Sequence, residues 1–317
     1  MAGQNWYPSA DGGYLANSVL SRQIRHAAQP IMRFAQFVRP EAGYGKNKGE
    51  TVKFDRVANV SNQGGTISET SKMPETKLVI SQGSATVDEY GNSIPYTGKL
   101  EALSEFNPDN IIQKALLNDQ AKVIDLAIAT ELKTCKVKYT PTGTSDSPTG
   151  TIATSGTCIT AATRNIQTFD VKEAIDYLKS TLLAPKFGGE NGNYICVAST
   201  GFLRCIQDDD DFIKAVQYGR PEDLYAGEIG MYYGCRFVET TYSSSLSSTL
   251  GSYKGGALFF GDDAIVEAVA VAPEIRAKIP EDYGRSKGVA WYAMMGYSLT
   301  YDTATAGEGR IIEIAST

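Results

Sequence analysis

The strongest periodic pattern in the chain lies at residues 107–133, where apolar side chains recur at helical spacing. They form two adjacent stripes, Leu117, Ala121, Ile124, Ile128 and Leu132 beside Ile112, Leu116, Val123 and Ala127. Asn107 is a good N-cap residue, and Pro108 fits the first helical turn because its missing N–H is not needed there. The pattern predicts one helix on the order of 40 Å long. We expect the late strands of the chain to cover its wide apolar face.

An alternating pattern precedes this helix. Thr51–Val57 places Val52 and Phe54 on one face and polar residues on the other, which predicts a half-buried strand. A polar stretch follows, and 77–87 predicts the return strand of a long hairpin. A two-stranded hairpin with so few apolar residues is marginally stable alone in water. We therefore expect it to lie on a neighbouring surface, of the same chain or of another copy.

The N-terminal residues, 1–42, predict an arm with apolar anchors at Phe34, Phe37 and Val38 that must dock elsewhere. Over residues 1–49 the chain carries six cations against two acids, about +4 by count: Arg22, Arg25, Arg33, Arg39, Lys46 and Lys48 against Asp11 and Glu41. A solvated or partner-facing segment explains this charge. An anionic partner such as a phosphate backbone is the sharper alternative.

Residues 89–104 predict an extended segment that leads into the long helix. After the helix, the pattern predicts a mixed body, in which the Thr- and Ser-rich stretch 137–163 predicts a surface loop or a small β-excursion. Asp170 with Glu173 predicts the start of a second helix with a core stripe that ends before Pro185. A nearly continuous apolar run at 194–198 predicts a central strand. Further strands are predicted at 235–240, 257–261, 264–272, 275–279, 289–300 and 310–315.

Composition narrows the classes of protein. The chain has 317 residues, 42% hydrophobic and 21% charged, which fits a folded protein of one large or two modest domains. A net charge of −6 argues against a surface that binds nucleic acid as a whole. Without an apolar signal segment, we expect folding in the cytosol. Five cysteines without a CxxC pair predict reduced thiols, with Cys135 and Cys158 the one pair to check.

Motifs for catalysis are scarce. His26 is the single histidine, which removes most His-dependent triads and zinc sites. The glycines Gly227, Gly230 and Gly234 lack the strand–helix context of a dinucleotide loop and instead predict a tight turn. The acidic run 208–211, joined by Glu222 and Asp223, is one candidate for a divalent cation. Helix capping with a solvated face is the favoured interpretation. We predict no catalytic residue, no metal and no cofactor.

The order of these elements resembles the tailed-bacteriophage major capsid proteins, which share the coat fold of phage Hong Kong 97. The stretches that carry the resemblance run from about residue 43 to the end: GKNKGETVKFDR, FNPDNIIQKALLNDQAKVIDLAIATEL, TFDVKEAIDYLK with NYICVASTGFLRCIQDDDDF, GEIGMYYGCRFVETT and GALFFGDDAIVEA. The first resembles the entry into the extended loop, and the second resembles the spine helix. The others resemble the helix–strand–helix unit and the glycine-turn strands of the axial domain.

The resemblance implies an α+β fold in five parts. These are an N-terminal arm (1–42), an extended β-hairpin loop (43–98), a peripheral domain (99–168) with the spine helix 107–133 and the surface loop 137–163, an axial domain (169–256) and closing strands (257–317). It also implies a set of subunit-interface residues, to which the Tyr-rich composition adds weak support. They are Arg22, Arg25, Arg33, Phe34, Phe37, Val52, Phe54, Lys72, Lys77, Tyr218 and Tyr225.

As function, the resemblance implies a structural protein of the virion, made in the bacterial cytoplasm. Its copies would form hexamers and pentamers of an icosahedral head around double-stranded DNA, bound non-specifically on the inner face. The implied partners are a portal, a separate scaffolding protein (since no long segment precedes the arm) and a cement protein facing 140–163. The alternatives are an encapsulin-type compartment without DNA, an α+β enzyme with an acidic site near Asp208 to Asp211, and a tail or adhesin component.

Overall fold

Two β-sheets and one long helix form the body of the protein, and a two-stranded hairpin forms a third sheet. The computed structural model describes residues 27–41, 44–58, 60, 65–70, 72–73, 75–217, 230–250 and 255–314. The helices are α1 (Gly98–Leu103), α2 (Pro108–Leu132), α3 (Thr168–Asp176), α4 (Thr200–Gln207) and α5 (Asp210–Gln217). A 3₁₀ turn spans Phe34–Phe37, and a π-helical turn at Tyr177–Thr181 extends α3.

The strands fall into three groups. The first sheet has the order β1-β11-β12-β4, the second β6-β5-β13-β10-β7-β9-β8, and the hairpin pairs β2 with β3. Their bounds are β1 Arg39–Pro40, β2 Thr51–Val57, β3 Ile80–Thr86, β4 Asp88–Thr97, β5 Lys138–Gly143, β6 Pro148–Ala153, β7 Tyr194–Ser199, β8 Met231–Tyr232, β9 Cys235–Thr240, β10 Ala257–Phe260, β11 Ile265–Ala277, β12 Ser286–Leu299 and β13 Ile311–Ile314.

Helix α2 confirms the prediction from periodicity. The Asn107 side chain accepts a hydrogen bond from the Asp109 N–H at 3.0 Å, and Pro108 lies in the first turn. The buried face differs from the predicted stripes, however. Leu117 is 49% exposed, while Asp125 is almost completely buried. The helix is thus rotated so that an acid, which sequence periodicity assigns to the polar side, points into the protein.

The expected cover for α2 comes from β12. Its alternate residues Val289, Trp291, Ala293 and Met295 pack with Ile112 and Leu116 of the helix in one apolar cluster. The Trp291 indole N–H donates to Asp119 Oδ2 at 3.0 Å, which ties the middle of the helix to the middle of the strand. This confirms that the chain's own late strands cover the helix.

Strand β11 corrects the predicted strand boundaries. The sequence predicts separate strands at 264–272 and 275–279, with Pro273 between them. In the structure Ile265–Ala277 is one strand, and its pairing with β12 shifts register between Val269 and Val271 and again between Val271 and Glu274. Such irregularities are where a sheet can accommodate proline.

The seven-stranded sheet contains the most completely buried part of the chain. All six residues of β7 are buried, as predicted for a central strand. On one face of the sheet lie the predicted core residues of α3 and the turn after it, Val171, Ala174, Ile175, Leu178 and Leu182, none of which is exposed. The other face packs on the C-terminal half of α2.

Three local predictions need correction. Helix α3 begins at Thr168, before Asp170, whose Oδ2 reaches back to accept the Gln167 N–H at 2.8 Å. Residues 89–104 are extended only to Thr97, because α1 occupies Gly98–Leu103. Within 137–163, the predicted β-excursion occupies the first part, and the predicted surface loop is confined to the hairpin turn and to residues 154–163, most of which are exposed. The strands β5 and β6 form a hairpin that joins the seven-stranded sheet, with Tyr139 and Thr140 buried.

Candidate assembly surfaces

The base of the hairpin is anchored on the body of its own chain. Strands β2 and β3 pair from Thr51↔Thr86 to Val57↔Ile80. Near the base, Val52 is buried and packs with Ala85 and with Ala268 of β11, while Phe54 is half-buried at the edge of this cluster. Both predicted interface residues therefore contact the chain's own body.

The Arg56 side chain connects the hairpin to the end of β12. Its guanidinium lies 5.0 Å from the centre of the Phe54 ring and 5.5 Å from that of Tyr301, and Nη2 donates to the Leu299 carbonyl at 3.0 Å. Burial lowers the pKa of Arg56. The sequence pattern gives no sign of this contact, because 243 residues separate Arg56 from Leu299.

Beyond its base, the hairpin presents apolar side chains that nothing in the described chain covers. We call this set the distal apolar surface. Its members are between 48% and 67% exposed: Val57, Val60, Ile67, Met73, Leu78, Val79 and Ile80. Apolar residues exposed singly are ordinary, but a concentration in one segment marks an interaction surface. Lys72, paired with Glu75 at 2.9 Å, and Lys77 lie exposed on the same segment.

The arm docks on its own chain. Phe34 is completely buried and packs with Ile128, Ala129 and Leu132 of α2. Phe34, which was predicted at a subunit interface, thus packs within its own chain. Phe37 is half-buried, with its ring centre 5.4 Å from that of Phe260.

Backbone pairing reinforces this docking. The Ile31 N–H donates to the Thr241 hydroxyl at 2.7 Å, and the Ile31 carbonyl oxygen accepts from the Thr241 N–H at 3.1 Å. Strand β1 pairs in parallel with β11, and the Glu41 N–H donates to the backbone carbonyl oxygen of Glu267. Residues 31–41 therefore dock on their own chain. Arg33 is exposed, and Arg22 and Arg25 lie outside the described residues.

Asp125 is the acid that holds the arm. Its Oδ1 accepts the Phe34 N–H at 2.9 Å, and Oδ2 is buried without a partner among the described residues. Burial, which disfavours the charged form, raises the pKa of this carboxyl. The sequence signal for this residue was weak, since an aspartate in a helix is ordinarily solvated.

Replacing Asp125 with Asn should change how stability depends on pH. Because the pKa is raised in the folded protein, the stabilising contribution is complete below about pH 4, the pKa of an unfolded aspartate. It is lost as the pH rises through the folded-state pKa. Asn keeps the acceptor for Phe34 and does not titrate. We expect the free energy of unfolding of the parent, minus that of Asp125→Asn, to fall as the pH rises above about 4 in urea titrations. A difference that is constant or rises with pH would contradict this.

The turn between β8 and β9 uses left-handed backbone. Tyr233 and Gly234 have φ of 49° and 78°, as a two-residue hairpin turn with right-handed strand twist requires, and Gly230 has φ of 60°. Lys179 stacks over the Tyr233 ring at 4.3 Å. Gly227, Tyr218 and Tyr225 lie outside the described residues.

The acidic run does not converge on one point. Asp209 accepts the Thr168 N–H at 2.7 Å and the Asp211 N–H at 3.0 Å, so it organises the starts of α3 and α5. Asp208 lies 3.9 Å from Arg204 in an exposed pair. Across the described residues, no group of three or more His, Cys, Asp or Glu side chains is arranged to bind a metal ion. Glu222, Asp223 and His26 lie outside the described residues.

The cysteines are free thiols, and four of the five are buried. Burial raises the pKa of Cys135 to about 12 and that of Cys205 to about 11. Cys158 is half-buried.

A buried ion pair connects the β5–β6 hairpin to α3. The Arg164 guanidinium binds both oxygens of Asp170 at 2.6 Å, and both side chains are almost completely buried. The Tyr139 hydroxyl lies 2.7 Å from Asp170 Oδ1 and 2.7 Å from Glu173 Oε2. Burial and the two carboxylates raise the pKa of Tyr139. The sequence pattern gives no sign of this network, because Tyr139 lies in a segment predicted to be a loop or a small β-excursion, while Asp170 and Glu173 are assigned to the start of a helix.

Within the described residues, no helix is long and apolar enough to cross a membrane. No protein-family model and no curated protein sequence matches the chain.

Solved phage structures match the chain over nearly its whole length. The acid-stable capsid of Helicobacter pylori bacteriophage KHP30 has a TM-score of 0.68 at 14% identity, covering 94% of this chain and 95% of that one. The head of Helicobacter pylori bacteriophage KHP40 gives 0.69 at 13% identity and 94% of each chain. The capsid of Ralstonia phage GP4 gives 0.65 at 15% identity and 98% of each. The chain therefore has the fold of these phage capsid proteins, the Hong Kong 97-like coat fold that its sequence resembles.

Proposed function

We propose that this protein is the major capsid protein of a tailed bacteriophage and assembles into the icosahedral head that encloses double-stranded DNA. The observation that carries the proposal is the distal apolar surface, a concentration of uncovered apolar side chains on the hairpin of a chain with the coat fold. We expect a second copy of the chain to cover the distal apolar surface. In a shell built from one protein, the surface on which each hairpin lies belongs to a neighbouring copy.

The energetics fit assembly by many modest contacts. Burying one Val, Leu or Ile side chain contributes about 1.5–3 kcal/mol. Because the side chains of the distal apolar surface are already partly covered, each contact would contribute toward the lower end of this range. The sum is still enough to order a hairpin that is marginal alone. Within such a shell, the four-stranded sheet with α2 corresponds to the peripheral domain, and most of the seven-stranded sheet to the axial domain.

Further partners belong to the same proposal. Hexamers and pentamers of this chain would meet a portal and a scaffolding protein during assembly in the host cytoplasm, and a cement protein could bind the finished virion. The exposed side chains of Arg33, Arg39, Lys46 and Lys48 support contact with an anionic partner such as packaged DNA.

Electron microscopy of the purified chain, expressed alone and with a scaffolding protein of the same phage, tests the proposal. We expect closed shells tens of nanometres across. A protein that stays monomeric at high concentration in both preparations would overturn it, and rings or tubes would favour a tail component. Shells that form without a portal and enclose cellular protein instead of DNA would favour an encapsulin-type compartment.

A further inference from the structure

Strand β6 forms one edge of the seven-stranded sheet, and the ladder with β5 shows which of its backbone groups face outward. On β5, the carbonyls of Val137 and Pro141 accept hydrogen bonds from Glu313 and Thr163, on the side away from β6. The even-numbered residues of β5 therefore face β6, where Thr140 pairs with Thr151 and Thr142 with Thr149. The alternate residues of β6, Pro148, Gly150 and Ile152, consequently point their backbone groups out of the sheet.

These outward groups have no partner in the described chain. No hydrogen bond from a described residue reaches the N–H of Gly150 or Ile152, or the carbonyls of Pro148, Gly150 and Ile152. The six residues of β6, PTGTIA, contain no charge, and their register with β5 is continuous. Natural edge strands ordinarily carry charges, bulges or interior prolines that prevent pairing with another strand.

The edge of the other sheet shows how this chain protects a strand. On β4 the odd-numbered residues face outward, since the even-numbered Gly98 continues the ladder by donating to Arg285. The outward N–H of Ser93 is taken by the Asn92 side chain at 2.8 Å, and Pro95 has no N–H. Asp88 and Glu89 add charge at the start of the strand. Strand β6 carries no charge, no side chain of the described residues takes its outward N–H groups, and its one proline, Pro148, lies at the end of the strand.

We propose that β6 pairs antiparallel with β6 of a second copy, about a twofold axis at Gly150. In this register each Gly150 N–H donates to the Gly150 carbonyl of the other copy, and each Ile152 N–H donates to the Pro148 carbonyl. Every outward donor then has an acceptor, and the one missing donor, at Pro148, falls at the end of the ladder. The contact is isologous, so identical copies suffice to form it.

Gly150 lies on the proposed axis, between Thr149 and Thr151. A Cβ at this position would lie 2.0 Å from the Tyr139 hydroxyl oxygen of the same chain, so the position admits only glycine without rearrangement. The pairing would place Thr149 of each copy opposite Thr151 of the other, in a non-hydrogen-bonded pair with Cα atoms about 4.5 Å apart. It would join two seven-stranded sheets into one continuous sheet. As a contact between copies, it rests on the proposed self-assembly.

Mixed cysteine cross-linking tests the pairing and its register. Thr149→Cys and Thr151→Cys are made separately in a Cys158→Ser background, which removes the one half-buried native thiol. The two chains are assembled together and oxidised. Since the Cα separation falls within the range for disulfides, we expect a cross-linked dimer from the mixture and little or none from either variant alone. Thr157→Cys, exposed beyond the end of β6, mixed with Thr149→Cys, is the matched control.

A second measurement needs no substitution. Amide hydrogen exchange at Gly150 and Ile152 should slow by at least tenfold when unassembled chains form shells. Shells that form without the mixed cross-link and with fast exchange at both amides would overturn the pairing and leave the proposed function intact. Slow exchange without the cross-link would also overturn it, since some other strand would then occupy the edge. If no shells form and the mixed dimer is absent, both proposals fail.

Discussion

Replacing Leu78, Val79 and Ile80 together with Asn, Thr and Thr is expected to abolish shell formation while the body of the subunit stays folded. These side chains are between 59% and 62% exposed in the single chain, so their loss removes little of its own packing. If each buries enough surface in the assembly to contribute about 1.5 kcal/mol, the loss is about 4.5 kcal/mol per contact. That corresponds to a rise of roughly a thousandfold in the concentration needed for assembly.

Light scattering and electron microscopy across a range of concentrations measure this effect, and urea unfolding of the unassembled chain checks the fold. Ser81→Thr in the same strand is the matched control, because it changes an exposed polar position that the proposed contact does not need. Shells that form at the parent concentration in the triple variant would show that the distal apolar surface is not an assembly contact.

Replacing Asp170 with Ala is expected to destabilise the folded subunit by about 3–5 kcal/mol, the typical result of leaving one partner of a buried ion pair alone. The carboxylate receives both arms of the Arg164 guanidinium, the Tyr139 hydroxyl and the Gln167 N–H. Without it, a buried guanidinium keeps only carbonyl partners, among them Thr142 and Thr149 at 2.8 and 3.0 Å. The connection between the β5–β6 hairpin and α3 would be weakened together with the start of the helix.

Urea unfolding of the unassembled chain at neutral pH gives the change in free energy. Lys72→Ala is the control, because the Lys72–Glu75 pair is mostly exposed and its loss should be too small to measure. A loss below about 1 kcal/mol for Asp170→Ala would mean that the site relaxes or admits water more readily than its burial indicates.

Local patterns were sufficient for the elements that carry their own signal. The bounds of α2 follow from the cap at Asn107, from Pro108 and from the apolar spacing, all of which act within a few residues. The strand Thr51–Val57 follows from strict alternation, and β7 from an uninterrupted apolar run. In each case a short stretch of sequence specifies both the backbone conformation and its period of burial.

Patterns failed where two distant segments compete for one surface. A phenylalanine such as Phe34 is stabilised by burial against any apolar surface. The sequence alone does not say whether that surface belongs to the same chain or to a neighbouring copy. The same limit applies to α2, in which two plausible apolar stripes differ by a small rotation. The arm resolves that choice, since its N–H at Phe34 provides a partner for the buried carboxylate of Asp125.

By itself, the sequence determined the order of the elements, the long helix, the hairpin that cannot be stable alone and the scarcity of catalytic motifs. Only the tertiary structure decided that the arm docks on its own body, that 137–163 contains the edge strand β6, and that the apolar part of the hairpin stays uncovered. The physical reason is the separation along the chain over which each kind of interaction acts. Periodicity and capping act between neighbours along the chain, whereas burial and edge pairing depend on which remote residues arrive at the same place.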